Sequence, residues 1–175
     1  MLAYKLNFVN EIDMSYLSKI KHIKEAKNLV DKLKKRGEKV VFTNGCFDLL
    51  HLGHIRYLSE AKKQGDFLIV AINSDSSVRR IKGDKKPIID EKARAETVAA
   101  LEFVDMVIIF SEDTPYDVIK VLNPDVLIKG GDWKEEDIVG ADVVKKTGGK
   151  VLTIPYISGY STTSIIEKII KLYCK

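Results

Sequence analysis

Two of the chain's three histidines, His51 and His54, stand three residues apart in the run Asn44-Gly45-Cys46-Phe47-Asp48-Leu49-Leu50-His51-Leu52-Gly53-His54. At the start of a helix that spacing puts both rings on one face of the first turn. A helix N-terminus has free N–H groups and a partial positive charge, which attract phosphate. Imidazoles placed there donate hydrogen bonds to phosphate oxygens without a metal. Gly53 leaves room for a ligand to approach the backbone, and Gly45 lets the chain turn sharply out of whatever precedes it. A lone histidine is more often structural, and His22 is read so. Zinc would need a third ligand, and neither Cys46 nor Cys174 has the local spacing to supply one.

Other polar clusters suit the same anionic chemistry. Ser161-Thr162-Thr163 opens the last helical pattern. Its hydroxyls and free N–H groups make a second phosphate cradle as well as a cap. In Lys129-Gly130-Gly131-Asp132-Trp133 the glycines let the backbone approach a ring, and main-chain groups there can read a base edge; the same loop also reads as a tight turn anchored by Trp133. Lys82, Lys85, Lys86 and Arg94 surround a polar loop. Tyr156 and Tyr160 are either platforms for a base or ordinary packing. Asp48 is a carboxylate among phosphate binders, so it must hold Mg²⁺ or orient a neighbouring donor.

These residues need elements to carry them. Residues 1–16 read as irregular. From Ser18, Ile20, Ile23, Ala26, Val30 and Leu33 recur at helical steps until Gly37. That helix shows a broad polar face and packs on the outside of the domain or on a partner. Strands are read at 39–43, 67–71, 106–110, 126–129 and 151–154, each a short apolar run of the kind a sheet covered on both faces requires. Helices are read at 51–64, after Ser74 to about Ile81, at 91–101 behind an Asp90 cap, from Thr114-Pro115 to Leu122, at 135–146, and from Ser161 or Thr162 onward. Alternating strands and helices specify an α/β fold with a Rossmann-like parallel five-strand sheet and right-handed crossovers. Ligands of such sheets bind beyond the carboxyl ends of the strands, where all the polar clusters fall. Residues 1–38 are read as an N-terminal extension with a helix, and 39–175 as the domain proper.

Length and charge bound the partners. The chain has 175 residues, suited to one compact domain. Its formal charge of +4 favours small anions and, without a localised patch, no nucleic acid. Two cysteines far apart give no disulfide framework and fit a reducing compartment. No apolar run approaches the ~20 residues of a membrane span. The first residues lack an export signal's basic start and apolar core, so a cytoplasmic location is expected.

His51-Leu52-Gly53-His54, after Gly-Cys-Phe-Asp, resembles the HxGH signature of the cytidylyltransferase-like nucleotidyltransferases. The resemblance spans about residues 39–171. It is strongest to the adenylyltransferase halves of bifunctional heptose kinase/adenylyltransferases, through 44–54, 127–133 and 159–166. Glycerol-3-phosphate cytidylyltransferases are similar too, but carry an Arg where this chain has Tyr156. The resemblance implies a fold of the HUP/nucleotidyltransferase type and transfer of AMP from Mg²⁺-bound ATP to a sugar 1-phosphate, with no tightly bound metal. The heptose resemblance implies D-glycero-β-D-manno-heptose 1-phosphate as that sugar, and so a place in lipopolysaccharide-core precursor synthesis. It implies catalytic roles for His51, His54 and Lys85. It implies nucleotide contacts from Asn44, Gly45, Cys46, Phe47, Gly53, Lys129, Gly130, Asp132, Ser161, Thr162 and Thr163. Lys82, Arg94 and Asp48 fall on the substrate side, and Lys85 or Lys86 on the transferring phosphate. A homodimer and a separate sugar kinase are the implied partners. Two rival functions stay open: CTP with a polyol phosphate, and a non-enzymatic nucleotide-binding module.

Overall fold

The computed structural model describes residues 14–131, 133–157 and 159–174. Five parallel strands form one sheet: β1 Val40–Gly45, β2 Phe67–Asn73, β3 Met106–Phe110, β4 Val126–Gly130 and β5 Lys150–Ile154. Their order is β3-β2-β1-β4-β5. Among the described residues seven α-helices accompany them: α1 Ile23–Lys35, α2 Leu52–Lys62, α3 Asp75–Lys82, α4 Glu91–Ala99, α5 Tyr116–Leu122, α6 Ala141–Lys146 and α7 Thr162–Tyr173.

The strands are apolar throughout because both faces are covered. Val40, Phe42, Ile69, Ala71, Met106 and Ile108 face one core with α1, α5 and α6. Their neighbours Val41, Leu68, Val70, Ile72 and Val107 face a second core with α2 and α4. This period of two sends successive strand residues to opposite layers. Among the described residues no helix is long and apolar enough to cross a membrane.

Caps read from the sequence hold. The Ser74 side chain accepts from the Ser77 N–H, and the Asp90 side chain from those of Lys92 and Ala93. Asn123 closes α5 in the left-handed region. Two helical readings need correction. The stretch from Ser18 is not one helix: residues Ser15–Lys19 form a 3-10 turn, and α1 begins at Ile23 behind His22. Ile20 fits the helical period, yet it forms a parallel bridge to Val107 at the free edge of β3. The stretch 135–146 is likewise split: a 3-10 turn Glu135–Asp137 stops at Ile138, and Gly140 at φ +86° is the N-cap from which α6 starts afresh.

The terminal helices differ in what they cover. α1 buries Ala26, Val30 and Leu33 in the first core, so its apolar stripe serves its own sheet. α7 buries none of its side chains. Ile169, Ile170, Leu172 and Tyr173 on it are 48%, 52%, 56% and 80% exposed, which leaves an apolar arc without a covering layer.

Candidate active site

The strand order reverses between β1 and β4, since β1 continues to β2 on one side and β4 to β5 on the other. In doubly wound sheets the crevice at that switch point is where ligands bind. The carboxyl ends of β1 and β4 carry Asn44 and Lys129, and Lys129 Nζ lies 3.5 Å from Asn44 Oδ1. Tyr57, one turn into α2, ties the two strands together. Its hydroxyl lies 2.6 Å from Thr43 Oγ1 and donates to the Ile128 carbonyl at 3.2 Å. Tyr57 was not singled out from sequence, although its place three residues after His54 puts it on the same helix face.

From β1 the chain turns through Phe47, which holds φ +46°. That left-handed conformation is uncommon for a residue with a large side chain. It seats the Phe47 ring in the second core, 4% exposed, with its centroid 5.3 Å from that of His54. Phe47, expected at the nucleotide, is therefore a floor beneath His54. Gly45 is required by the same turn, for a Cβ there would meet the Phe47 ring at 3.0 Å.

His51 is the N-cap of α2, but its side chain does not cap the helix. The first-turn N–H groups are left for another acceptor. The His51 and His54 rings stack with centroids 3.8 Å apart. Gly53 makes the stack possible: a Cβ there would meet the His51 ring at 2.9 Å and Tyr160 at 3.5 Å. The space at Gly53 is thus bounded by His51 and Tyr160. Both Nδ1 atoms are buried and have no hydrogen-bond partner among the described residues.

Burial lowers the pKa of His51. Burial, then the charges of His51 and Lys82, lowers that of His54 to about 4. Lys129 is lowered too, first by burial and then by Lys82, while Cys46 opposes the shift. The His54 imidazole is thus neutral at pH 7, with one N–H to donate. A group whose folded pKa lies below its unfolded value binds more protons when unfolded. Stability tied to His54 is therefore complete above about pH 6.5 and falls as pH drops toward 4. Thermal unfolding should show a steeper loss between pH 6.5 and 4.5 for wild type than for His54→Asn. Equal slopes would mean that His54 titrates normally in the folded chain.

Other expected residues are distributed as follows. Lys82 ends α3 and acts on both His54 and Lys129, so it reaches the crevice. Gly130 and Gly131 lie under Tyr156, whose ring a Cβ would meet at 3.0 and 2.7 Å. A cavity of about 220 Å³ adjoins them, lined by Gly53, Arg56, Tyr57, Glu60, Ile154 and Tyr156 among others. Ser161 caps α7 in reciprocal bonds with Ser164, which leaves the Thr162 and Thr163 hydroxyls unengaged among the described residues. The contact of Tyr160 with Gly53 sets the N-termini of α7 and α2 side by side. Cys46 Sγ lies 4.0 Å from Asn73 Oδ1. Asp132 lies outside the described residues.

Three residues differ from expectation. Arg94, placed on the substrate side, is 1% exposed. It donates to the carbonyls of Ile89 at 2.9 Å and Cys46 at 2.5 Å, and to Asp75 Oδ1 at 2.7 Å. Its side chain is fully buried among these acceptors and presents no surface to a substrate. Lys85 is exposed, and no contact ties it to the histidines. Lys86 instead has a buried ammonium, 3.8 Å from Asp48. Asp48 itself is 7% exposed and accepts the N–H groups of Ile88 and Ile89. Among the described residues no three His, Cys, Asp or Glu side chains converge as metal ligands.

A family model described as cytidylyltransferase-like matches residues 42–168, which include both histidines and the N-terminus of α7. The chain belongs to the cytidylyltransferase-like family. This cytidylyltransferase-like chain is accordingly a nucleotidyltransferase-type enzyme domain. It is 52% identical over 156 residues to the bifunctional protein HldE of Geobacter metallireducens, covering 89% of this chain and 32% of that one. HldE of Nitratiruptor sp. is 52% identical over 149 residues, covering 85% and 31%. The chain thus spans about a third of the length of these relatives. A crystal structure of the lipopolysaccharide core biosynthesis protein from Thermoplasma volcanium shares 35% identity at a TM-score of 0.55, over 71% of this chain and all of that one. The pantoate–β-alanine ligase of Francisella tularensis, at 19% identity and a TM-score of 0.57 over 87% of this chain and 78% of that one, shares the fold.

Proposed function

We propose that this domain transfers AMP from ATP to the phosphate of a sugar 1-phosphate, releasing pyrophosphate in the cytoplasm. The observation that carries the reading is the convergence of His54, Lys129 and Lys82 at the mouth of α2. Burial first, and then the charge of neighbouring cationic groups, lowers the affinity of His54 and Lys129 for a proton. Cationic and proton-donating groups gathered and partly buried in this way suit a site that receives a polyanion.

A phosphate oxygen of the sugar phosphate attacks the α-phosphorus of ATP. The new P–O bond forms as the bond to the bridging oxygen breaks, and pyrophosphate leaves with that electron pair. The attacking oxygen is already ionised at neutral pH, so no general base is required. The chain's contribution is alignment and electrostatic stabilisation. His51 and His54 donate to the α-phosphoryl and bridging oxygens. The N-termini of α2 and α7, with Thr162 and Thr163, hold the remaining phosphates. Lys82 faces the acceptor phosphate, Lys129 and Gly130 line the nucleotide, and Asn44 holds Lys129. Magnesium enters with ATP as part of that substrate, kept by the phosphates.

The sugar we assign is D-glycero-β-D-manno-heptose 1-phosphate, for lipopolysaccharide-core precursor synthesis. The relatives named bifunctional HldE and the neighbour named for lipopolysaccharide core biosynthesis support it. A sugar kinase is the activity that would supply this acceptor. The test is a panel of nucleoside triphosphates against sugar 1-phosphates and glycerol 3-phosphate, scored by magnesium-dependent pyrophosphate release. ATP with an aldose 1-phosphate should turn over fastest. Faster turnover of CTP with glycerol 3-phosphate would replace the assignment. Nucleotide binding without turnover on any acceptor would make the domain a binding module.

The chain is further read as a homodimer joined through the apolar arc of α7, since closed two-fold pairs are the commonest assembly. Light scattering at micromolar concentration should give twice 19.7 kDa. A monomer mass would refute it.

A further inference from the structure

Asp48 presents a chemical problem: a buried carboxylate three residues before His51, in a site meant for phosphates. Its surroundings resolve it. Ile88 N donates to Oδ1 at 2.9 Å and to Oδ2 at 3.0 Å, and Ile89 N donates to Oδ1 at 2.9 Å. The Lys86 ammonium stands 3.8 Å from Oδ2. Two backbone N–H groups occupy three of the roughly four acceptor positions of Asp48, and Lys86 balances its charge within the chain. The carboxylate has little left for a metal and little field to repel a phosphate.

The same contacts fasten the basic loop. Residues 83–87 leave α3 just after Lys82, and the far end of the loop is gripped on both sides at Ile89. Asp48 takes the Ile89 N–H, and Arg94 donates to the Ile89 carbonyl. Arg94 also holds the Cys46 carbonyl and Asp75 at the start of α3. The loop is therefore strapped at both ends to the frame that carries the histidines.

We infer that Asp48 is a positioning residue: it straps the Lys82–Pro87 loop against the HxGH turn, so that the loop's lysines meet the acceptor phosphate at a fixed distance from His54. Asp48 touches neither substrate nor metal. This rests on the adenylyl-transfer reading for what the lysines meet, but the strap itself can be tested without turnover.

The experiment compares Asp48→Asn with Asp48→Ala in the full chain. Asparagine keeps an oxygen that can accept both amides, whereas alanine keeps none. Amide hydrogen exchange should show Ile88 and Ile89 protected in wild type and Asp48→Asn, and at least tenfold faster in Asp48→Ala. In turnover, Asp48→Ala should raise KM for the sugar phosphate about thirtyfold or more, with the Kd of magnesium-ATP changed less than threefold. Asp48→Asn should lose about threefold in kcat/KM. If Asp48 touched the metal or substrate, Asp48→Asn would be as damaging as Asp48→Ala and ATP binding would fall in both; that outcome overturns the proposal. Rapid exchange of both amides in wild type also overturns it. If wild type releases no pyrophosphate with any acceptor, adenylyl transfer fails while the exchange result still decides the strap.

Discussion

Replacing His54 by alanine is expected to lower kcat/KM with ATP by about 10²–10³ while the fold survives. Loss of one preorganised donor to a transition-state oxygen has effects of about this size. The donor here is preorganised by packing: the ring is stacked on His51 at 3.8 Å and floored by Phe47 at 5.3 Å. The fold should tolerate the change because alanine breaks only the ring's hydrogen bond to the Leu49 backbone, its Nδ1 having no partner among the described residues. Steady-state kinetics beside a circular-dichroism melt measures both parts. Near wild-type turnover in a folded variant would remove His54 from the chemistry.

Arg94→Ala should destabilise the chain by about 3–5 kcal/mol, the usual cost of removing one partner from a buried charged network. For a chain of this size that is a fall in Tm of roughly 6–20 °C. The substitution strands the Cys46 and Ile89 carbonyls and leaves Asp75 without its guanidinium. Arg94→Lys should recover only part of the loss, since an ammonium cannot span three acceptors set for a planar fork. Urea unfolding of the three proteins gives the comparison. A loss below about 1 kcal/mol for alanine would show that the network contributes little.

The contrast between these two residues shows what was legible in advance. His51 and His54 were readable because type, spacing and a preceding strand and turn all pointed to one helix start. The strands were readable because burial on both faces removes polar residues from them. Arg94 was readable as a residue but not as a buried one. A hint lay in Ala95, Val98 and Ala99 beside it, all of which face the second core. Lys85 and Lys86 are adjacent and chemically alike, so only tertiary packing distinguishes the exposed one from the buried one. Ile20 misled because an apolar residue in helical step fits a sheet-edge bridge equally well. Gly140 was passed over inside a helical run, where its positive φ splits the element. Asp48 posed a choice between metal holding and donor orientation, and the Ile88 and Ile89 N–H groups that bear on it lie 40 and 41 residues away in sequence.

The bridge at Ile20 has a bearing on how the chain is handled. β3 ends the sheet, and an open strand edge is a template on which other chains can add strands. Here Lys21 donates its N–H to the Val107 carbonyl at 2.9 Å while Ile20 lies alongside. A trimmed protein beginning at Ile23 would retain every described strand and every described residue of the crevice. It would also unzip that cover and offer β3 to its neighbours in a concentrated solution. Ile20 and Lys21 are, in this respect, a selvedge: they stand apart from the weave of the crevice and keep the cloth from fraying into aggregates.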